Sequence, residues 1–182
     1  PNNDLFISLD YNGAEVRTFL GLCGNPQPKV DIHTWNIENI FKEPGMSRDE
    51  AKTLFFAWLY NPDSKEIENE IYNRQKLLDL CYTEGYINTL YGRRMKIDKR
   101  RALNYLIQST TADRVLEKAV MIDKLLKDRP SFISHIVHDE IVLDYNDKDR
   151  DLFQTIKTVF EDGYMANVKA GKDYLNLKTL EL

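Results

Sequence analysis

Two aspartates at the ends of apolar runs are the first candidates for chemistry in this sequence. Leu5-Phe6-Ile7-Ser8-Leu9 reads as a buried strand closing at Asp10. Phe132–Val137 and Ile141–Tyr145 read as a hairpin with His138-Asp139-Glu140 at its tip. Burying a lone carboxylate beside such runs is costly, so any one of them taken singly reads as a solvated turn residue. Brought together on neighbouring strands, Asp10 and Asp139 would repel each other, and a divalent cation would relieve that repulsion. Oxygen ligands without a Cys or His cluster point to Mg²⁺, which completes its shell with water and substrate phosphates.

The second candidate is a helix from Ser47 to Tyr60, opened by the capping box Ser47-x-x-Glu50 and stopped by Asn61-Pro62. Arg48, Lys52, Phe56 and Tyr60 recur every four residues and form one stripe. Cations in the first turns oppose the helix dipole, and an anionic ligand, naturally a polyphosphate, offsets that placement. Phe56 and Tyr60 then offer flat faces for a sugar and a base. The blander account makes the aromatics core and leaves Arg48 and Lys52 solvated. The third candidate is the basic run Arg93, Arg94, Lys96, Lys99, Arg100, Arg101, a surface suited to a phosphate backbone. Arg100, Asn104 and Gln108 would line one helix face, and Asn and Gln can donate to the acceptors that every base pair shows in the minor groove.

The elements that must position these residues mix strand and helix. Helices are expected over Ala14–Leu22, His33–Phe41, Ser64–Tyr82, Lys99–Lys127 and Asp149–Glu161, and strands at Tyr86–Leu90 and Leu175–Leu182. There is no regular βαβ repeat, so the class is α+β. With 182 residues, 42% hydrophobic and 30% charged, the chain suits one globular domain and not a disordered one. The net charge of −4 argues against a uniformly polybasic binder while allowing local basic patches. Cys23 and Cys81 stand far apart and give no zinc spacing. No run reaches the ~20 apolar residues of a membrane helix, and no signal peptide opens the chain, so a cytoplasmic setting is expected.

The order of these segments resembles the family A DNA polymerases, the group of bacterial DNA polymerase I. Asp10-Tyr11-Asn12-Gly13-Ala14-Glu15-Val16-Arg17 resembles motif A, and Arg48-x3-Lys52-x3-Phe56-x3-Tyr60 resembles motif B. Arg100-x3-Asn104-x3-Gln108 resembles the stretch before motif C, and Val137-His138-Asp139-Glu140 resembles motif C. Asp31-Ile32-His33 and Tyr91-Gly92-Arg93-Arg94 look like family segments lying between them.

The resemblance implies an antiparallel palm sheet with packed helices and a trimmed helical fingers part. It divides the chain into palm at 1–30, fingers at 31–85 and palm at 86–182. It implies Mg²⁺-dependent addition of deoxynucleoside triphosphates to a primer 3′ end. Asp10 and Asp139 would bind two Mg²⁺ ions, with Glu140 supporting. Arg48, Lys52 and His33 would hold the triphosphate. Glu15, Phe56 and Tyr60 would select sugar and base. Arg100, Asn104, Gln108, His138, Arg93 and Arg94 would touch primer–template DNA. Asn61, Ser109 and Ile136 depart from the family's usual residues, and the short Tyr60–Arg100 interval suits the compact polymerases of phages in a bacterial or infected cell. Thumb and exonuclease parts, which precede motif A in the family, are expected to lie outside this chain, so an N-terminal polymerase piece is an expected partner. A non-catalytic nucleic-acid-binding subunit is the alternative, and a single-subunit RNA polymerase relative a third, disfavoured by Glu15 and by His138-Asp139-Glu140.

Overall fold

The computed structural model describes residues 1–180 and divides the chain into two compact units, one built from Pro1–Asn12 and the chain from Ala112 onward, the other from Gly13–Thr111. These limits differ from the 30/31 and 85/86 divisions expected from the sequence. In chain order the elements are β1 (Leu5–Tyr11), α1 (Ala14–Leu22), α2 (Ile32–Asn36), α3 (Arg48–Tyr60), α4 (Arg74–Cys81), β2 (Tyr82–Thr83), β3 (Tyr86–Asn88), β4 (Arg94–Lys96), α5 (Lys99–Leu125), β5 (Phe132–Val137), β6 (Glu140–Tyr145), α6 (Phe153–Glu161), β7 (Ala166–Gly171) and β8 (Lys178–Thr179). Both sheets are antiparallel and the class is α+β, as expected.

The first unit is a sheet of order β5-β6-β1-β7-β8. Cross-strand partners share a face, and successive residues alternate between faces. One face therefore takes Ile7, Leu9 and Tyr11 with Ile141, Leu143 and Val168, all buried. Helix α6 covers β1 through Phe160, whose ring stacks on Tyr11 at 4.1 Å. Each such side chain contributes about 1.5–3 kcal/mol by leaving water. The opposite face is polar, with rows Asp10–Glu140–Asn167 and Ser8–Val142–Lys169. Arg114 on α5 lies over the Tyr164 ring at 3.8 Å and donates to the carbonyls of Glu161 and Asp162, which ties α5 to the end of α6.

The second unit packs α1, α3, α4 and the start of α5 around Phe19, Phe55, Trp58, Tyr72, Leu77 and Leu106. Its small sheet has the order β2-β3-β4. Gly13 enters α1 at φ +66°, and a Cβ there would run into the Ile32 side chain. No helix among the described residues is long and apolar enough to cross a membrane.

Several expected elements differ. The helix expected over Ser64–Tyr82 shortens to α4, because the preceding chain wraps around buried Arg74 and Asn69 accepts the amides of Ile71 and Tyr72. The helix expected at His33–Phe41 becomes α2 followed by a π-helical turn at Ile37–Phe41. The Asp149–Glu161 helix begins only at Phe153, after a 3₁₀ turn at Asp147–Asp149. The expected last strand reduces to β8, with a 3₁₀ turn at Tyr174–Asn176 before it and residues 181 and 182 outside the described residues. Strand β7 was not anticipated, because Ala, Asn, Lys and Gly are weak strand formers.

Candidate functional site

In the first unit, β1 and the β5–β6 hairpin bring the acidic residues together. Asp10 is the register partner of Glu140, and the Tyr11 amide donates to the Asp139 carbonyl at 3.4 Å. His138 takes φ +54° at the exposed tip, so the His138-Asp139 turn reverses the chain just before Glu140. Burial, and next the charge of Asp139, push the Asp10 carboxyl up to about 6, against the opposing pull of Lys169 and a hydrogen bond from Asn167.

Glu140 is held differently. Its Oε1 accepts the Ser8 hydroxyl at 2.5 Å and its Oε2 accepts the Tyr174 hydroxyl at 2.8 Å. Both oxygens are thus engaged by neutral donors, and Glu140 braces the hairpin beside the aspartates.

A half-buried pair of like charges with one carboxyl driven upward fits a divalent cation, which would reverse that shift. Among the described residues no three His, Cys, Asp or Glu side chains are grouped so as to hold a metal ion. A two-carboxylate set instead suits a hard divalent cation that keeps part of its water shell.

The raised Asp10 value has a measurable consequence in metal-free buffer. Between about pH 4 and 6 the folded chain holds a proton on Asp10 that the unfolded chain has released. Folded-state stability therefore falls as pH rises through this window and levels off above it. Thermal melts of the chain and of Asp10→Asn at pH 4.5 and 7 check this: the wild-type loss across the window should shrink in the variant, and an identical loss in both would overturn it.

In the second unit, the α3 capping box forms as expected, Ser47 Oγ accepting the Glu50 amide at 3.2 Å and Glu50 accepting the Ser47 amide at 2.7 Å. Arg48 sets Nε and Nη2 on Asp31 at 3.0 and 2.9 Å, and Asp31 also caps α2. Lys52 stays exposed one turn on. His33 is buried beside Phe56, its ring 6.2 Å away. Burial, then the charge of Arg48, hold the imidazole down at about 4, so it is neutral near pH 7; its Nδ1 has no hydrogen-bond partner among the described residues. Phe56 and Tyr60 stack with ring centres 5.8 Å apart.

The Tyr60 hydroxyl donates to Glu15 on α1, and Gln108 on α5 hydrogen-bonds the same hydroxyl. Three residues singled out separately in the sequence therefore meet around one oxygen.

The basic residues scatter more widely. Arg100 pairs with exposed Asp63 at 3.3 Å. With Asn104, whose buried Oδ1 has no hydrogen-bond partner among the described residues, it borders a cavity of about 310 Å³ that Tyr60, Lys65 and Lys99 also line. Arg93 and Arg94 sit on the β3–β4 hairpin, Arg94 over the Tyr86 ring at 4.2 Å.

Four residues around the acidic pair were not foreseen: Ser8, Asn167, Lys169 and Tyr174. The alternation Ala166, Val168, Ala170 against Asn167, Lys169 is the signal that would have found β7 and its polar face.

No family model matches the chain. It is 25% identical over 228 aligned positions to the thermostable DNA polymerase I of Thermus filiformis, covering 96% of this chain and 27% of that protein. DNA polymerase I of Pseudomonas aeruginosa is 26% identical over 192 positions, covering 79% of this chain and 21% of that protein. The chain thus spans about a quarter of the length of the curated relatives it matches. Its fold is similar to the polymerase domain of Pol1 from M. smegmatis, solved with DNA primer-template and dNTP, with a TM-score of 0.73, 20% identity, and coverage of 94% of this chain and 40% of that one.

Proposed function

From its resemblance to the family A DNA polymerases in sequence and in fold, we propose that this chain is the part of a DNA-directed DNA polymerase that holds the primer terminus and the incoming deoxynucleoside triphosphate. The observation that carries the reading is the turn that sets Asp139 beside the Asp10–Glu140 pair, near enough for its charge to push the Asp10 carboxyl up. Asp10 and Asp139 would hold Mg²⁺, with Glu140, fixed by Ser8 and Tyr174, keeping the hairpin in place. Bound there, Mg²⁺ supplies Lewis-acid chemistry, easing deprotonation of a primer 3′-hydroxyl and neutralising phosphate charge.

The remaining work falls to the protein's own groups. Lys52 and Arg48 offer cations to a triphosphate, Arg48 exchanging its Asp31 partner for phosphate oxygens. Neutral His33 contributes a hydrogen bond. Phe56 packs against the sugar. Glu15, pinned by Tyr60, crowds the position of a ribose 2′-hydroxyl. Arg100, Asn104 and Gln108 contact the primer–template minor groove, Arg93 and Arg94 its backbone, and His138 the primer end.

Primer extension tests this. A labelled primer–template with dNTPs and Mg²⁺ is incubated with the chain alone and with the portion of a DNA polymerase I relative that precedes the aligned region. Extension in either reaction supports the reading. Intact primer–template binding without extension in both would replace it with a non-catalytic nucleic-acid-binding role.

The sugar gate gives a sharper check. Glu15→Ala should raise ribonucleotide over deoxynucleotide kcat/KM by about 10- to 100-fold, the range for losing one steric contact. Tyr60→Phe should move it the same way by less, because Glu15 loses its anchor. An unchanged ratio in Glu15→Ala would remove Glu15 from sugar selection.

A further inference from the structure

We propose that Lys169 is a charge-balancing residue of the Asp10–Asp139 metal site: its ammonium is built into the polar face beside the carboxylates and sets how tightly a divalent cation binds there. The inference rests on the reading of Asp10 and Asp139 as a metal pair. Lys169 is the register partner of Ser8 on one side and Thr179 on the other, one row from Asp10. Its neighbours Val168 and Ala170 face the apolar side, so the strand's alternation turns Lys169 to the face that carries Ser8, Asp10 and Glu140. Diagonal neighbours on adjacent strands lie about 7–8 Å apart, within reach of a long side chain.

Lys169 is half-buried and forms no direct ion pair among the described residues, yet its charge opposes the upward shift of Asp10. It acts over a short distance on the cluster rather than as the partner of one oxygen. Three carboxylates on or beside this face leave an excess of negative charge, and Asn167 adds none. One fixed ammonium therefore offsets part of the repulsion when no metal is bound, and it repels an incoming divalent ion. A unit charge against a doubly charged ion about 7 Å away alters affinity by roughly ten-fold in a water-like medium.

The test titrates the whole chain with Mn²⁺ and reads free Mn²⁺ by electron paramagnetic resonance, so no activity is needed. Lys169→Met and Lys169→Gln should each bind Mn²⁺ about ten-fold more tightly, and Lys169→Arg should bind like wild type. The difference should shrink with added KCl as the charges are screened. Unchanged or weaker binding in the folded neutral variants overturns the proposal, as does an Arg variant that behaves like Met. Asp10→Asn separates the two readings. Binding that depends on Asp10 but ignores residue 169 sinks the Lys169 role alone. A chain with no Asp10-dependent Mn²⁺ binding sinks the metal pair and the Lys169 role with it.

Discussion

Asp10→Asn and Asp139→Asn are each expected to cut primer extension by about 10³-fold or more while leaving the chain folded. A bound metal ion contributes several kcal/mol of charge stabilisation to phosphoryl chemistry, and every 1.36 kcal/mol is a factor of ten in rate. Asparagine keeps the shape and can still hydrogen-bond, but it cannot supply the charge that draws a cation. The stability side has the opposite sign. Asp10 is strained at neutral pH, because burial and Asp139 both disfavour its ionised form. Removing that charge should leave the melting temperature unchanged or slightly higher at pH 7. Lost extension with an intact or raised melting temperature marks a functional carboxylate pair. Retained extension, or collapse of both variants, would mark the pair as structural.

Arg74→Ala is expected to cost about 3–5 kcal/mol, the usual penalty for breaking a buried, fully paired charge. Arg74 is nearly inaccessible. Its Nη1 donates to the carbonyls of Trp58 at 3.0 Å and Asn61 at 2.8 Å, its Nη2 donates to the carbonyl of Ser64, and its Nε pairs with Glu68 at 3.0 Å. The guanidinium also lies over Trp58 at 4.6 Å. One side chain thus satisfies the carbonyls at the end of α3 and orders the loop after it, so Ala leaves the buried Trp58 carbonyl and the part-buried carbonyls of Asn61 and Ser64 without this donor and Glu68 without its cation. For a chain of this length the melting temperature should fall by about 10 °C. Arg74→Lys should rescue little, since an ammonium cannot reproduce the planar fork. A fall of only a degree or two in Arg74→Ala would show that the loop holds itself together.

Arg74 also explains where sequence reading stopped. Nothing near it in the chain distinguishes a buried organiser from one more polar helix residue, and Ser64–Tyr82 accordingly read as helix. Its partners at Trp58, Asn61 and Ser64 lie 10–16 residues back. Glu15, Tyr60 and Gln108 show the same limit at longer range. Each was singled out by its place in a motif, yet their sharing of one hydroxyl follows from how α1, α3 and α5 pack.

Signals written among near neighbours survived translation into structure. The Ser47–Glu50 box, the Asn61-Pro62 stop, the four-residue stripe of α3 and the β5–β6 reversal at His138-Asp139 all depend on residues a few positions apart, whose dihedral preferences and side-chain bonds act before any tertiary contact forms. The ordered motifs single out Asp10 and Asp139 in the sequence, and the hairpin turn carries Asp139 to the end of β1. What remained hidden was pairing at a distance: β7 lying beside β1, Lys169 one row from Asp10, and Glu140 closed off by Ser8 and Tyr174. Strand register is settled by the whole sheet's burial of its apolar face, and a six-residue run of weak strand formers carries too little local energy to announce where it will dock.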